Sequence, residues 1–364
     1  MSELLARLDR ESQIASTSVQ RAEILAKKGS YLARVGRFEE ASHVIEELRR
    51  EFGDGHSGHI TSWIMLTEGL LYLFKDLSPL ALDRVKRSQF LGLAMKDSSV
   101  IAISSAWKAH IEFETLDFEA MVKSLHLAIS NSKEQDHDAH VRFAMVLSDS
   151  FLLCGENRSA QSWFMHSRHH AITLGDQASI EALQYNRAAF RLARLRAARC
   201  TAHIDDDQLS MLRVEIASAR NLQLLTRVAA LTNFIHLCEA RFLILEERYD
   251  QAIGALKKIR GARPFAEYNF NQSFIDLEIA FCLKRLNRAD EAREVYKSVL
   301  WTSFDGLDVD EQLVASWMHY SLCEEDKNFG DIDEAKARFD GFAERYENLR
   351  LHLIDNLRPF QLDA

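Results

Sequence analysis

Gly36-Arg37-Phe38-Glu39-Glu40-Ala41 is a short polar turn followed by an alanine, and its form recurs down the chain. Asp76-Leu77-Ser78-Pro79-Leu80-Ala81 and Gly155-Glu156-Asn157-Arg158-Ser159-Ala160 repeat it. So do Glu247-Arg248-Tyr249-Asp250-Gln251-Ala252, Asn287-Arg288-Ala289-Asp290-Glu291-Ala292 and Gly330-Asp331-Ile332-Asp333-Glu334-Ala335. A weaker copy, Leu116-Asp117-Phe118-Glu119-Ala120-Met121, has methionine at the alanine position. Positions 41, 81, 121 and 160 are spaced by 40, 40 and 39 residues, and the last two steps are 40 and 43. The gap of 92 from 160 to 252 leaves room for two units with one copy lost. A period of this size predicts stacked helical pairs.

One unit shows how the pattern folds. Ile24, Leu25, Leu32 and Val35 share one side of a helix, and Gly36 stops it as glycine does after a helix C-terminus. A second helix begins near Phe38, with Ala41, Val44, Ile45 and Leu48 as its apolar stripe, and Gly53-Asp54-Gly55 ends it. Gly29 with Ala41, Gly69 with Ala81, Ala240 with Ala252 and Ala280 with Ala292 keep a constant 12-residue separation. Small residues at that spacing let the two backbones cross closely. First helices are expected near 18–35, 59–75, 99–115, 137–154, 177–199, 224–246, 266–286 and 309–327. Second helices are expected near 38–52, 79–95, 118–133, 158–174, 206–222, 249–260, 289–302 and 332–357. Residues 1–17 form an N-terminal cap or arm, 18–357 the repeats, and 358–364 a tail that leaves the helix at Pro359. The last helix is expected to be a terminal cap, polar on one side.

The signature resembles the tetratricopeptide repeat. Gly69, Tyr72, Ala81 and Val85 fit it, as do Ala280, Leu283, Ala292 and Tyr296, and Ala240, Leu243, Ala252, Leu256 and Pro264. The family period is about 34 residues; this chain is similar to longer bacterial variants. The resemblance implies an all-α fold, a right-handed α-solenoid of about eight antiparallel helix-turn-helix repeats over residues 1–364. It is specific for fold and not for function.

Composition agrees with an all-α class. Of 364 residues, 3 are proline and 14 glycine, and 47% are hydrophobic, which suits neither an all-β chain nor disorder. No apolar run approaches the ~18 residues of a membrane helix. Met1-Ser2-Glu3-Leu4-Leu5-Ala6-Arg7 lacks a signal-peptide core. Five cysteines without paired spacing fit a reducing compartment, so a cytoplasmic location is expected. Cys154, Cys238, Cys282 and Cys323 fall on first helices and are expected to be buried there. The net charge of −9 lies in residues 301–364, which hold 15 acids and 6 Lys/Arg. The balanced remainder provides no field for direct nucleic-acid binding.

No catalytic motif is present: no phosphate loop, no Gly-x-Ser-x-Gly and no His-Glu-x-x-His. No enzyme activity, catalytic residue, cofactor or metal is therefore expected. Histidine is the one metal-capable signal. His166, His169 and His170 share a helix side, His137 and His140 open the preceding helix, and His126 lies one helix earlier. Imidazoles at this spacing can chelate zinc, but no cysteine or carboxylate completes an ordered set. Solvated or hydrogen-bonded histidines are the plainer reading.

A stretch without acids from Ala182 to His203 carries Arg187, Arg191 and Arg194 at i, i+4 and i+7. This stripe is either a fork for carboxylate or phosphate or is neutralised by acids of neighbouring helices. The family's register places first helices on the concave side. Trp63, Leu66, Phe74, His110, Arg142, Met145, Asp149, Asn186, Phe190, Arg194, Arg241, Phe281 and Lys284 then face the groove. Trp63, His110, Arg142, Asp149, Asn186, Arg187, Arg191, Arg194, Arg241 and Lys284 are the candidate site. The expected function is a non-enzymatic adaptor that holds a protein or peptide with acidic and apolar groups. The alternative is a cytosolic sensor that binds a small ligand or signalling peptide inside the superhelix and regulates a partner protein. Self-association of the acidic end with the arginine stripe is a further expectation.

Overall fold

The computed structural model describes residues 3–52, 58–226, 231–261 and 270–361. These are all-helical, with no strand among the described residues. In chain order the helices are α1 (Glu3–Ile14), α2 (Ser18–Arg34), α3 (Phe38–Phe52), α4 (Gly58–Asp76), α5 (Leu80–Met95) and α6 (Ser98–Glu114). They continue with α7 (Phe118–Asn131), α8 (His137–Cys154), α9 (Asn157–Leu174), α10 (Gln177–Arg199), α11 (Asp206–Thr226) and α12 (Thr232–Leu245). The last are α13 (Tyr249–Gly261), α14 (Gln272–Arg285), α15 (Ala289–Tyr296), α16 (Val309–Glu325) and α17 (Ile332–Leu357). The stop at Gly53-Asp54-Gly55, Pro264 and the expected helix start at 266–269 lie outside the described residues.

The turns explain the period. Gly36, Leu116, Gly155, Glu247, Asn287 and Gly330 stand five residues before the alanine position, and all have positive φ. The amide after each of the first five donates back five residues, as Asp117 N does to Glu112 O (2.9 Å) and Glu156 N to Phe151 O (2.9 Å). This closure satisfies helix-end carbonyls and turns the chain back on itself. Leu116, Glu247 and Asn287 adopt the left-handed conformation despite their Cβ, at some cost in strain.

Ala41, Ala81, Ala160, Ala252, Ala292 and Ala335, with Met121 in the weak copy, are buried where the paired helices meet. At Gly69 a Cβ would lie 2.9 Å from Val85 Cγ2 and 3.2 Å from the Ala81 carbonyl oxygen. The α4–α5 crossing therefore has no room for one more carbon. Beyond its own pair, α2 packs on α4, α4 on α6, α6 on α8, α8 on α10, α10 on α12, and α14 on α16. The four cysteines expected to be buried are buried.

The N-terminal segment takes the helical of its two expected forms, α1, packed on α2 with Leu4, Leu5 and Leu8 buried. Three features differ from the expected outline. The first helix of the sixth pair, expected from 224, begins at Thr232, and α11 continues to Thr226. The second helix of the seventh pair stops at Tyr296, and a 3-10 turn, Trp301–Gly306, follows. The last helix is polar over its first half, but its end is not a solvent-facing cap. It packs across α7 and α8, where Leu353 and Leu357 lose all solvent exposure and join Phe113, Phe118 and Met121 in one core. A 3-10 turn, Arg358–Phe360, then seats Phe360, whose carbonyl accepts from Trp163 Nε1 (3.1 Å). Meanwhile α16 packs on α10, and Arg34 at the end of α2 reaches Asp176 (2.8 Å) at the start of α10. The ends of the array thus return to its middle.

Gly69→Ala should destabilise the protein by about 1–3 kcal/mol, because the added carbon meets a backbone oxygen that cannot move aside. Gly254→Ala, in α13 with nothing within 4 Å of its Cβ position, should stabilise by about 0.5–1 kcal/mol. Urea denaturation of the two variants against the parent reads both signs.

Candidate functional site

Three adjoining cavities follow the first helices. The smallest, about 140 Å³, lies between α1 and the inner wall and touches Leu4, Leu8, Trp63, Trp107 and Arg142. The middle one, about 270 Å³, is lined by Phe74, His110, Arg142, Glu181, Tyr185 and Asn186. The largest, about 840 Å³, reaches from Glu114, Phe190 and Cys238 to Asp308, Asp310 and Tyr346. Arg142 is common to the first two, and Tyr185 and Phe234 to the second and third. An open groove of about 800 Å³ also runs between α11, α12 and α13. Its arginines Arg213 and Arg248 are already held by Glu246 and Arg220 by Glu239, so the interior chambers are the better-built site.

Aromatic rings form much of the wall. Phe234 stands edge-on to Tyr185 (6.1 Å) and to Phe270 (5.2 Å), and Phe113 meets Phe190 at 5.8 Å. In the middle cavity Arg142 stacks its guanidinium 3.6 Å over the Trp107 ring, and His110 stands edge-on to the same ring. Burial lowers His110 to about 3, so its imidazole is neutral. Burial also pulls Arg142 down to about 9, and its Nε has no hydrogen-bonding partner. Glu181, only 4% exposed, leaves both carboxyl oxygens unpartnered, and burial raises it to about 8.

The large chamber holds more acid than base. Arg241 donates to Glu278 (3.0 Å) and Glu311 (2.7 Å), and Arg196 also bonds Glu278. These two cations are therefore spent on the protein's own carboxylates. The carboxyls of Glu114, Asp308 and Asp310 have no hydrogen bond or ion pair among the described residues. Glu114 and Asp308 are solvent-exposed where they face the chamber. Desolvation by the surrounding protein, then the nearby Asp308, raises Glu114 to about 7. Burial, Glu311 and Asp308 raise Asp310 to about 7. Asp149 accepts from Asn186 Nδ2 (2.7 Å), and burial with the Glu114 charge raises it to about 8. Such upward shifts mark carboxyls lacking enough positive charge nearby.

The arginine stripe divides. Arg187 and Arg191 both reach Glu215 on α11, each at 2.6 Å, and Arg187 also donates to Gln161 (2.5 Å). They cross-link α10 to α11 and α9, away from the chambers. Arg194 instead points toward α17, near Tyr346 and Arg350. Trp63 is buried under Lys27, 5.4 Å from its ring. Lys284 is half-buried on α14 and lines none of these cavities. Sequence reasoning thus found Trp63, His110, Arg142, Asn186 and Arg241 on the cavity walls, with Asp149 bonded to Asn186, and missed Glu114, Glu181, Tyr185 and Phe234. Glu114 was within reach, one turn beyond His110 on the same helix face. Asp308 and Asp310 come from the eighth pair, and no repeat register points them at α6.

The histidines form a separate group. His137, His140, His166 and His170 gather where α8 meets α9, with His169 at the rim beside His170. His126 stands apart, 4.7 Å from the Phe360 ring.

A group whose acid constant is raised on folding is favourable while protonated. Its cost appears as pH climbs from the unfolded value near 4 through the folded value. Glu114→Gln should therefore leave the melting temperature unchanged at pH 5 and raise it by about 2 °C or more at pH 8. Equal shifts at both pH values, read by calorimetry, would mean that Glu114 ionises freely.

No protein-family model matches this chain, and no curated protein matches it by sequence.

Proposed function

We propose that the chain is a tetratricopeptide-like superhelix acting as a non-enzymatic ligand-binding protein, a sensor whose ligand sits inside the array. The observation that carries this reading is the large chamber, bordered where α16 packs on α10 and α17 on α8. Its size is that of a ligand site. Its aromatic wall suits apolar groups, and the unpaired Glu114, Asp308 and Asp310 suit a cation. The ligand class is a short peptide or small molecule carrying an amine or guanidinium beside apolar groups. Bound cation would return the three carboxyls to their charged form, so binding and proton release are linked. Because the chamber lies between repeats distant in sequence, occupancy would alter how those repeats meet, which is a signal a partner protein can read.

An adaptor role has one observation in its favour. The inner wall near Trp63 and Trp107 already accommodates an amphipathic helix, α1, through Leu4 and Leu8. A partner helix would use the same mode.

Amidated tripeptides combining arginine with leucine or phenylalanine, and their acidic counterparts, are suitable probes for isothermal titration. The cationic series should bind at pH 8 and weaken at least about tenfold in the Glu114→Gln/Asp310→Asn double variant, as expected for loss of charge-assisted contacts. Preference for the acidic series, or equal binding to the double variant, would overturn this reading.

A further inference from the structure

Two turns of α9 and the first turn of α8 bring four imidazoles to one place. His166 and His170 are one turn apart on α9, and His137 and His140 are similarly spaced on α8. His140 Nδ1 lies 3.0 Å from His166 Nε2, and His137 Nδ1 lies 2.7 Å from His170 Nδ1. The rings of His140 and His170 stack at 4.3 Å, tilted by 9°. One ring nitrogen from each of His140, His166 and His170 lies within 4.8 Å of the other two.

Pairwise hydrogen bonding explains two of these contacts but not their convergence. A chain of imidazoles needs only neighbours, whereas here three nitrogens surround one point. The outer partner of His140 sharpens the case. Its Nε2 lies 3.1 Å from the Lys133 carbonyl oxygen. A carbonyl accepts only, so Nε2 carries the proton and Nδ1 presents its lone pair toward His166. That is the arrangement by which backbone carbonyls orient metal-binding histidines. Among the described residues, no carboxylate is hydrogen-bonded to any of the four rings.

We infer that His140, His166 and His170 form a site for a divalent transition-metal ion of the zinc class, with His137 adjacent as a fourth imidazole. An all-imidazole set suits zinc, copper or nickel and not magnesium or calcium. Zinc–nitrogen bonds of about 2.0–2.1 Å in a tetrahedron hold their nitrogens about 3.3 Å apart. His140 and His166 would need to part by only a few tenths of an ångström. The ion would clamp α8 to α9, and α8 carries Arg142 and Asp149 to the interior.

The test is titration of the untagged, metal-stripped full chain with Zn²⁺ by calorimetry and with Co²⁺ by visible absorption. The expected result is one ion per chain, with cobalt bands of a four-coordinate nitrogen site. His166→Ala and His170→Ala should each weaken zinc binding at least about tenfold, and His169→Ala, at the rim, should leave it unchanged. Circular dichroism of the metal-free variants checks their folding, and if neither folds the wild-type cobalt spectrum decides. No zinc binding below about 100 µM, a six-coordinate cobalt spectrum, or an equal loss in His169→Ala would overturn the assignment.

Discussion

Leu353 and Leu357 lose all exposure against helices some two hundred residues earlier in the chain, and that contact docks α17 across α7 and α8. Each fully buried leucine contributes roughly 1.5–3 kcal/mol. Phe360, with its carbonyl on the Trp163 indole, fixes the direction of the approach. The acids at the start of α16 reach the chamber where α16 packs on α10. The Arg34–Asp176 pair does similar work at the other end. It is well shielded from water and strengthened by Ser179, whose hydroxyl donates to Asp176 and accepts from Arg34 at 2.8 Å. A pair so placed specifies position more than it adds stability.

Closing the interior has an electrostatic consequence. Carboxyls that would be freely hydrated on an open groove are held among protein atoms, and burial favours their neutral form. The protein pairs Glu278 and Glu311 with Arg196 and Arg241, and among the described residues sets no cation against the carboxyls of Glu114, Asp308 and Asp310. At the α8–α9 junction four imidazoles are likewise brought together, with no carboxylate hydrogen-bonded to them among the described residues.

Most helix positions were legible because the period is written in small residues. Ala41, Ala81, Ala252 and Ala292 mark helix crossings, and a crossing is a local event set by neighbouring helices. The inner register was legible for the same reason, which is why His110, Arg142 and Asn186 reach the cavity wall. What the sequence could not reveal was long-range. Glu215 quenches Arg187 and Arg191 from a second helix that lacks the alanine signature, so no register related them. Asp308 and Asp310 join the site where α16 packs on α10, a contact between pairs distant in sequence. The short α15 reflects local chemistry, where the chain turns at Lys297–Leu300 and Trp301 packs edge-on to Phe304 at 4.7 Å.

That α17 completes the structure bears on how the chain matures. During synthesis the helical pairs can form one after another as they emerge, since each contacts its immediate neighbours. The chamber cannot form at that stage, because its wall also needs Asp308, Asp310, Tyr346 and Leu349 of the eighth pair. A chain stopped before residue 308 would carry α1 to α15 and lack that wall.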